Sequence, residues 1–85
     1  MASASPSPTP NPNALRFSLD VTLPGTVSAS SAADAGDDAF LGALVAIPGV
    51  ASVFGVSDFV TVTRQAGADW DEIVPAVQEA AATHL

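Results

Sequence analysis

Four acidic residues have the types and spacing that best fit metal chemistry. Asp58 separates two apolar runs, and Asp69, Asp71 and Glu72 fall together in the segment ADWDE. Carboxylate oxygens suit magnesium or calcium. The same positions are ordinary places for acids, because hairpin turns and helix N-termini both favour them. No loop has the ligand spacing of an EF-hand, so we expect structural roles for these carboxylates and no bound metal.

Catalytic chemistry has little support in the sequence. Ser57 lies beside Asp58, but no base stands in evident reach of its hydroxyl group. His84 is the only histidine and the chain contains no cysteine, which excludes disulfides, thiol nucleophiles and cysteine-held clusters. The stretch PGVASVFG lacks the lysine and the glycine spacing of phosphate-binding loops. We therefore expect a protein that is not an enzyme.

Composition and charge limit the classes of partner that this protein can bind. The chain has 85 residues, 48% of them hydrophobic, which indicates one domain with a small packed core. Nine acidic residues against two arginines, Arg16 and Arg64, give a formal charge of −7. Without a basic patch, neither nucleic acid nor an anionic membrane is expected as a partner. The uncharged run 39–57 is broken by IPGV, and no secretory signal is evident, so we expect a cytoplasmic protein.

The pattern along the chain predicts an α+β fold. Residues 1–8 are small, polar and proline-bearing, and we expect a disordered tail before a domain over 9–85. Strict alternation in LRFSLDVTL predicts a half-buried strand, and a turn at Pro24 and Gly25 leads to a weaker strand over 26–30 that would pair with it. A helix over about 38–46 follows, capped by Asp37 or Asp38.

The second half of the sequence predicts the same order of elements, two strands followed by a helix. VASVFGV and FVTVTR predict two strands joined at Ser57 and Asp58. Phe54 and Phe59 are assigned to the core, with anchoring of a partner as the alternative interpretation. Asp69 and Glu72 predict the start of a last helix, with a kink or a separate first turn at Pro75. Two helices on one face of a four-stranded, mainly antiparallel sheet would form a two-layer β-β-α-β-β-α sandwich.

Four ordered motifs resemble the N-terminal domain of the Nfu/NifU-type iron–sulfur scaffold proteins. They are TPNPN, IPGV, DFVTVT and DWD, and the resemblance covers about residues 9–85. It implies the two-layer fold and a role around iron–sulfur cluster assembly or delivery. In the family the cluster is bound by a Cys-x-x-Cys motif in a separate C-terminal domain, whereas this chain carries no cysteine. The resemblance therefore implies a stand-alone N-terminal domain that binds no cluster directly.

The lead-in before the first predicted strand contains the candidate partner-binding residues Pro10, Asn11, Pro12 and Asn13. Prolines restrict the backbone and asparagine amides bond to nearby backbone, so the segment is predicted to be stiff. It either guides the chain only, or also presents a docking surface. Trp70 is read in two ways as well, as a core anchor under the last helix or as an anchor for a partner.

Three functional hypotheses remain open from the sequence. The first is an accessory protein-interaction module. It would act as a monomer and bind a scaffold, carrier or client protein of the iron–sulfur pathway. The second is weak binding of iron or another divalent metal by surface carboxylates. The third is a structural domain with an unrelated partner.

Overall fold

The fold is an α+β sandwich with more elements than the sequence predicted. A computed structural model describes residues 3–23, 25–36 and 38–85. In chain order the elements are β1 Ala4–Pro8, β2 Ala14–Leu19, β3 Val27–Ala29, α1 Ala32–Ala35, α2 Ala39–Val45, β4 Val50–Val56, β5 Phe59–Arg64 and α3 Trp70–His84. The α+β class and the antiparallel sheet are confirmed. Among the described residues, five strands and three helices replace the expected four and two.

The sheet has the strand order β1-β2-β5-β4-β3, and every neighbouring pair is antiparallel. The expected pairing of the first two predicted strands is wrong, because β2 lies between β1 and β5 while β3 pairs with β4. The hairpin of β4 and β5 is confirmed, with Val56 opposite Phe59. Pro24, on which the expected turn depended, lies outside the described residues.

The expectation of a disordered tail over residues 1–8 is wrong for Ala4–Pro8, while residues 1 and 2 lie outside the described residues. Ala4–Pro8 forms an edge strand on β2, with Ala4 opposite Leu19. Prolines are tolerated there because an edge strand leaves one row of backbone groups unpaired. Two side chains hold its start: Asp20 Oδ1 accepts a hydrogen bond from the Ser3 amide at 2.9 Å, and Gln78 Nε2 donates to the Ala4 carbonyl at 3.2 Å.

The core lies between one face of the sheet and the helices. Alternation along the strands directs Phe17, Val60 and Val62 inward, where all three are fully buried. Leu44 of α2 and Val77 of α3 are equally buried and complete the cluster. The α2 and α3 helices also pack on each other. The sheet therefore has a helix-covered face and an opposite face on which the described residues place no helix.

The helix starts agree with the local pattern. Asp38 caps α2, its Oδ1 accepting a hydrogen bond from the Leu41 amide at 3.1 Å, while Asp37 lies outside the described residues. Asp69 caps α3 and accepts from the Asp71 amide at 2.9 Å. A separate first turn at Pro75 is not found, because α3 continues through it.

In the part of the chain that is described, every helix is too short or too polar to cross a membrane.

Candidate protein-docking site

The lead-in over residues 9–13 is held by its own side chains. Thr9 Oγ1 lies 2.9 Å from the carbonyl oxygens of Asn11 and Ala14, and it accepts a hydrogen bond from the Asn11 amide at 3.2 Å. Asn11 Oδ1 accepts from the Asn13 amide at 2.9 Å, and the Asn11 carbonyl accepts from the Ala14 amide at 3.0 Å. These bonds close an asparagine-based turn directly before β2.

Two distant residues fasten this turn to the rest of the domain. Trp70, at the start of α3, donates from its indole Nε1 to the Pro12 carbonyl at 3.3 Å. Arg64, at the end of β5, donates from Nε to Asn13 Oδ1 at 3.3 Å and from its backbone amide to the Asn13 carbonyl at 2.8 Å. Its Nη1 reaches the Ala68 carbonyl at 2.9 Å. The guanidinium carbon also lies 5.7 Å from the centroid of the Trp70 ring, within cation–π range.

We call residues 9–13 together with Arg64 and Trp70 the lead-in site. The structure thus brings together all the partner-binding candidates predicted from sequence, although Trp70 lies far from the others along the chain. Pro10, Asn11, Pro12 and Asn13 are exposed. Trp70 is half-buried and packs against the core, so its two interpretations are both compatible with its position. A fixed, exposed segment loses little conformational entropy on binding, which suits a docking surface.

Arg64 is the member of the lead-in site that the sequence did not reveal. Its position at the end of a strand indicates only a solvated charge. Its role depends on the pairing of β2 with β5, which places Ala14 opposite Thr63 and so brings Asn13 beside Arg64. No local pattern in either segment predicts that contact.

The acidic candidates do not all lie close enough together to bind one metal ion. Asp58 precedes β5 and Asp69 follows it, and a strand of that length separates its ends by roughly 15–20 Å. Asp69 Oδ1 is engaged by the Asp71 amide at the helix start, where Glu72 also lies in the first turn. Among residues 3–23, 25–36 and 38–85, no group of three or more histidine, cysteine or acidic side chains is placed to hold a metal ion.

Ser57, the nearest candidate for a nucleophile, has a structural role. It has a φ of 55°, and it is the first of two residues linking β4 to β5. The carbonyls of Ser57 and Asp58 accept hydrogen bonds from the amides of Leu23 and Leu19, each at 2.6 Å. The turn thereby anchors the chain that leaves β2.

Phe54 and Phe59 correct the prediction of core packing. Both point to the sheet face opposite the helices, where Phe54 is 45% exposed and Phe59 is half-buried. The guanidinium carbon of Arg16 lies 4.0 Å from the centroid of the Phe59 ring. The burial of Val53 and Gly55 explains the error, since alternation then directs Phe54 outward.

Comparison with known proteins gives the family. The description "Scaffold protein Nfu/NifU N terminal" matches residues 5–85, nearly the whole chain. This chain belongs to the Nfu/NifU N-terminal family. The comparison with curated proteins finds no match. The family assignment confirms the resemblance stated from the four motifs and gives the protein an iron–sulfur assembly context.

Solved structures agree with this family assignment. The crystal structure of protein SAV1430 from Staphylococcus aureus has a TM-score of 0.80 at 28% identity, covering 92% of this chain and 96% of that chain. The solution structure of SeR13 from Staphylococcus epidermidis has a TM-score of 0.64 at 30% identity, covering 98% of both chains. A NifU-like protein from Saccharomyces cerevisiae is 24% identical, with a TM-score of 0.70 over 94% of this chain and 73% of that chain, and shows the shared fold.

The motifs of this Nfu/NifU N-terminal domain lie at structurally demanding positions. TPNPN forms the lead-in, and DFVTVT runs from the hairpin turn into β5. Gly49 of IPGV has a φ of 95°, and a Cβ atom there would lie 2.9 Å from the Ala68 Cβ atom. Its carbonyl accepts a hydrogen bond from the Gln65 amide at 2.7 Å. Only glycine combines that backbone angle with that close approach.

Proposed function

We propose that this Nfu/NifU N-terminal domain is an accessory protein-binding module of iron–sulfur cluster assembly or delivery. Its partner is a protein, namely a scaffold, a carrier or a client that receives a cluster. Family membership supports the pathway. The absence of cysteine supports the second half of the proposal, that any cluster or iron is held by the partner and not by this chain.

One observation carries the binding role. The lead-in is exposed and yet fixed by its own turn. Trp70 and Arg64 hold its C-terminal end as well. The turn alone would be enough to direct the chain into β2. The additional contacts from β5 and α3 hold this turn in one position against the rest of the domain. Protein recognition benefits from such preorganisation because less entropy is lost in the complex. The partner would contact Pro10 and the Asn11 amide group directly.

The remaining parts of the proposal follow from charge and chemistry. A formal charge of −7 disfavours nucleic acid and anionic lipid as partners. The domain acts as a cytoplasmic monomer without catalytic activity. Two of the polar candidates serve the fold instead, since Ser57 lies in the hairpin turn and Asp69 caps α3. Its effect on cluster chemistry is exerted through the protein that it binds.

The test is affinity capture of the tagged protein from its native cells under iron-replete growth, followed by mass spectrometry. We expect enrichment of a scaffold, a cysteine desulfurase or a cluster-bearing client. The double variant Asn11→Ala/Asn13→Ala should lose that partner while remaining folded. Reproducible enrichment of proteins unrelated to iron–sulfur chemistry would refute the pathway, and retention of the partner by the double variant would refute the lead-in site.

Two metal experiments separate this proposal from direct metal binding. Anaerobic reconstitution with iron and sulfide should leave the purified protein colourless, and stoichiometric cluster absorbance would contradict the proposal. Calorimetric titration with ferrous iron should give no micromolar binding. An affinity in that range that disappears in Asp69→Asn/Asp71→Asn would instead favour an iron-binding protein that uses carboxylates.

A further inference from the structure

The sheet face opposite the helices has a mixed apolar and cationic surface. Sheet register aligns one row across all five strands, from Ser7 through Arg16, Thr61 and Phe54 to Ser28. A neighbouring row contains Phe59 between Ser18 and Val56, and we call these two rows the open face.

Aromatic side chains make the centre of the open face apolar. Phe54 is the most exposed large hydrophobic side chain among the described residues, at 45%. Phe59 and Val56 lie half-buried on the neighbouring row. An exposed phenylalanine on an ordered strand adds nothing to the core of the free protein, because the interior opposite it is already filled. Grouping with Phe59 and Val56 makes it suited to a partner's apolar side chain.

Arg16 gives the open face a positive charge in an otherwise acidic protein. The five strands contain no acidic residue. Arg64, the other cation, donates hydrogen bonds to Asn13 and Ala68. The Arg16 guanidinium rests over the Phe59 ring and makes no hydrogen bond to any residue the structure describes. Its side chain is exposed, so its donors are open to solvent and available to an acceptor from a partner.

We propose that the open face is a second docking surface, for a protein segment that carries a carboxylate beside bulky apolar side chains. The carboxylate pairs with Arg16, and the apolar side chains cover Phe54 and Phe59. Arg16 and Phe54 stand two strand spacings apart, roughly 10 Å, which sets the distance between the two features of the partner segment. The guanidinium fork binds a carboxylate through two hydrogen bonds, and its stacking on Phe59 fixes the plane of that fork.

Charge distinguishes this occupant from a second copy of the chain. A two-fold contact between two open faces would bring together two arginines and no carboxylate, because the strands carry no acid. A strongly acidic partner would be repelled by the formal charge of −7. A single carboxylate within an apolar segment meets both conditions.

The experiment selects a random peptide library displayed on phage against the wild-type protein, and titrates the enriched peptides into the isotope-labelled protein by NMR. We expect enriched sequences to combine an acidic residue with bulky apolar residues, and to shift the amides of Phe54, Phe59 and Thr61. Arg16→Gln and Phe54→Ser should each weaken binding about tenfold, the size of one charge-assisted contact or one central apolar anchor. Replacing the peptide's acid by its amide should reproduce the Arg16→Gln effect.

Thr83→Glu is the matched control, because it makes the net charge one unit more negative, as Arg16→Gln does, but on α3 in the helical layer, and it should leave the affinity unchanged. The inference is overturned if selection enriches nothing, if enriched peptides show no preference for acids, if Arg16→Gln binds equally well, or if the shifts map to the lead-in site. It does not depend on the proposed function. Failure to find an iron–sulfur partner leaves these outcomes unaffected, and failure of the open face leaves the lead-in site to be judged by its own variants.

Discussion

Replacing Asn11 and Asn13 together by alanine should lower the free energy of unfolding by about 1–2 kcal/mol. The change removes two side-chain acceptors, Asn11 Oδ1 for the Asn13 amide and Asn13 Oδ1 for Arg64 Nε. Both bonds are exposed and the second is long, so each contributes about 0.5–1 kcal/mol. A domain of this length is stable by roughly 4–13 kcal/mol, and the double variant should therefore remain folded.

Thermal and urea unfolding followed by circular dichroism measure this effect. For a domain of this size the loss corresponds to a decrease in Tm of about 4–16 °C. The matched control is Asn11→Asp/Asn13→Asp, which keeps both oxygen acceptors and gives Arg64 a charged one. Its stability should lie within about 0.5 kcal/mol of the wild type, since an exposed ion pair at this position adds little.

Two results would refute the reasoning. Equal destabilisation by the alanine and aspartate pairs would mean that the acceptor oxygens do not hold the turn. Loss of cooperative unfolding in the alanine pair would mean that the lead-in is required for the fold as a whole, and partner loss in that variant would then say nothing about docking. The two variants therefore separate a structural role of the asparagines from a recognition role.

Three further changes test the local geometry. Gly49→Ala should cost about 2–4 kcal/mol in urea unfolding, because it combines a positive φ with a Cβ atom 2.9 Å from the Ala68 Cβ atom; an effect below 1 kcal/mol would contradict that crowding. Ser57→Gly should stabilise the protein by about 0.5–1 kcal/mol, because glycine relieves the φ of 55°; lower stability would show that the turn is unstrained. Hydrogen bonds from the Ser30 hydroxyl and amide lower the pKa of Asp34 below its ordinary value, so their contribution is present above that ordinary value and is lost as the pH falls through the folded-state pKa. NMR titration should find this pKa raised towards its ordinary value in Ser30→Ala, and an unchanged pKa would contradict the assignment.

Local patterns predicted the elements whose determinants are close in sequence. The alternation of LRFSLDVTL placed Arg16 on the solvent side of its strand and Phe17 in the core, as the structure has them. Asp38 and Asp69 marked two helix starts because a capping side chain acts on amides only two or three residues away. The hairpin at Ser57 was predicted for the same reason, since both of its strands adjoin the turn.

Two of the misses involve contacts between distant segments, whereas the short helix α1 was missed although its cap, Ser31, acts locally on the Asp34 amide. Ala4–Pro8 has the composition of a linker, and it becomes a strand only because β2 offers a free edge. The exposed position of Phe54 follows from Gly55, whose place facing the core leaves room for Leu23: a Cβ atom on Gly55 would lie 2.8 Å from Leu23 Cδ1. Hydrophobicity alone assigns a phenylalanine to the core. In the folded protein, the space that Leu23 occupies beside Gly55 places Phe54 on the exposed face instead.

The lead-in site and the open face both involve β2. Their contributions to binding can nevertheless be separated by experiment. Asn13 leads directly into β2, where Ala14 pairs with Thr63 and Arg16 pairs with Thr61. Loosening the lead-in would disturb Arg16 only if the β2–β5 pairing itself changed, and the backbone bond from Arg64 to the Asn13 carbonyl remains in Asn13→Ala. The effects of Asn11→Ala/Asn13→Ala and Arg16→Gln on binding of one partner should therefore add in free energy. Strong non-additivity would mean that both segments move as one unit and form a single continuous surface.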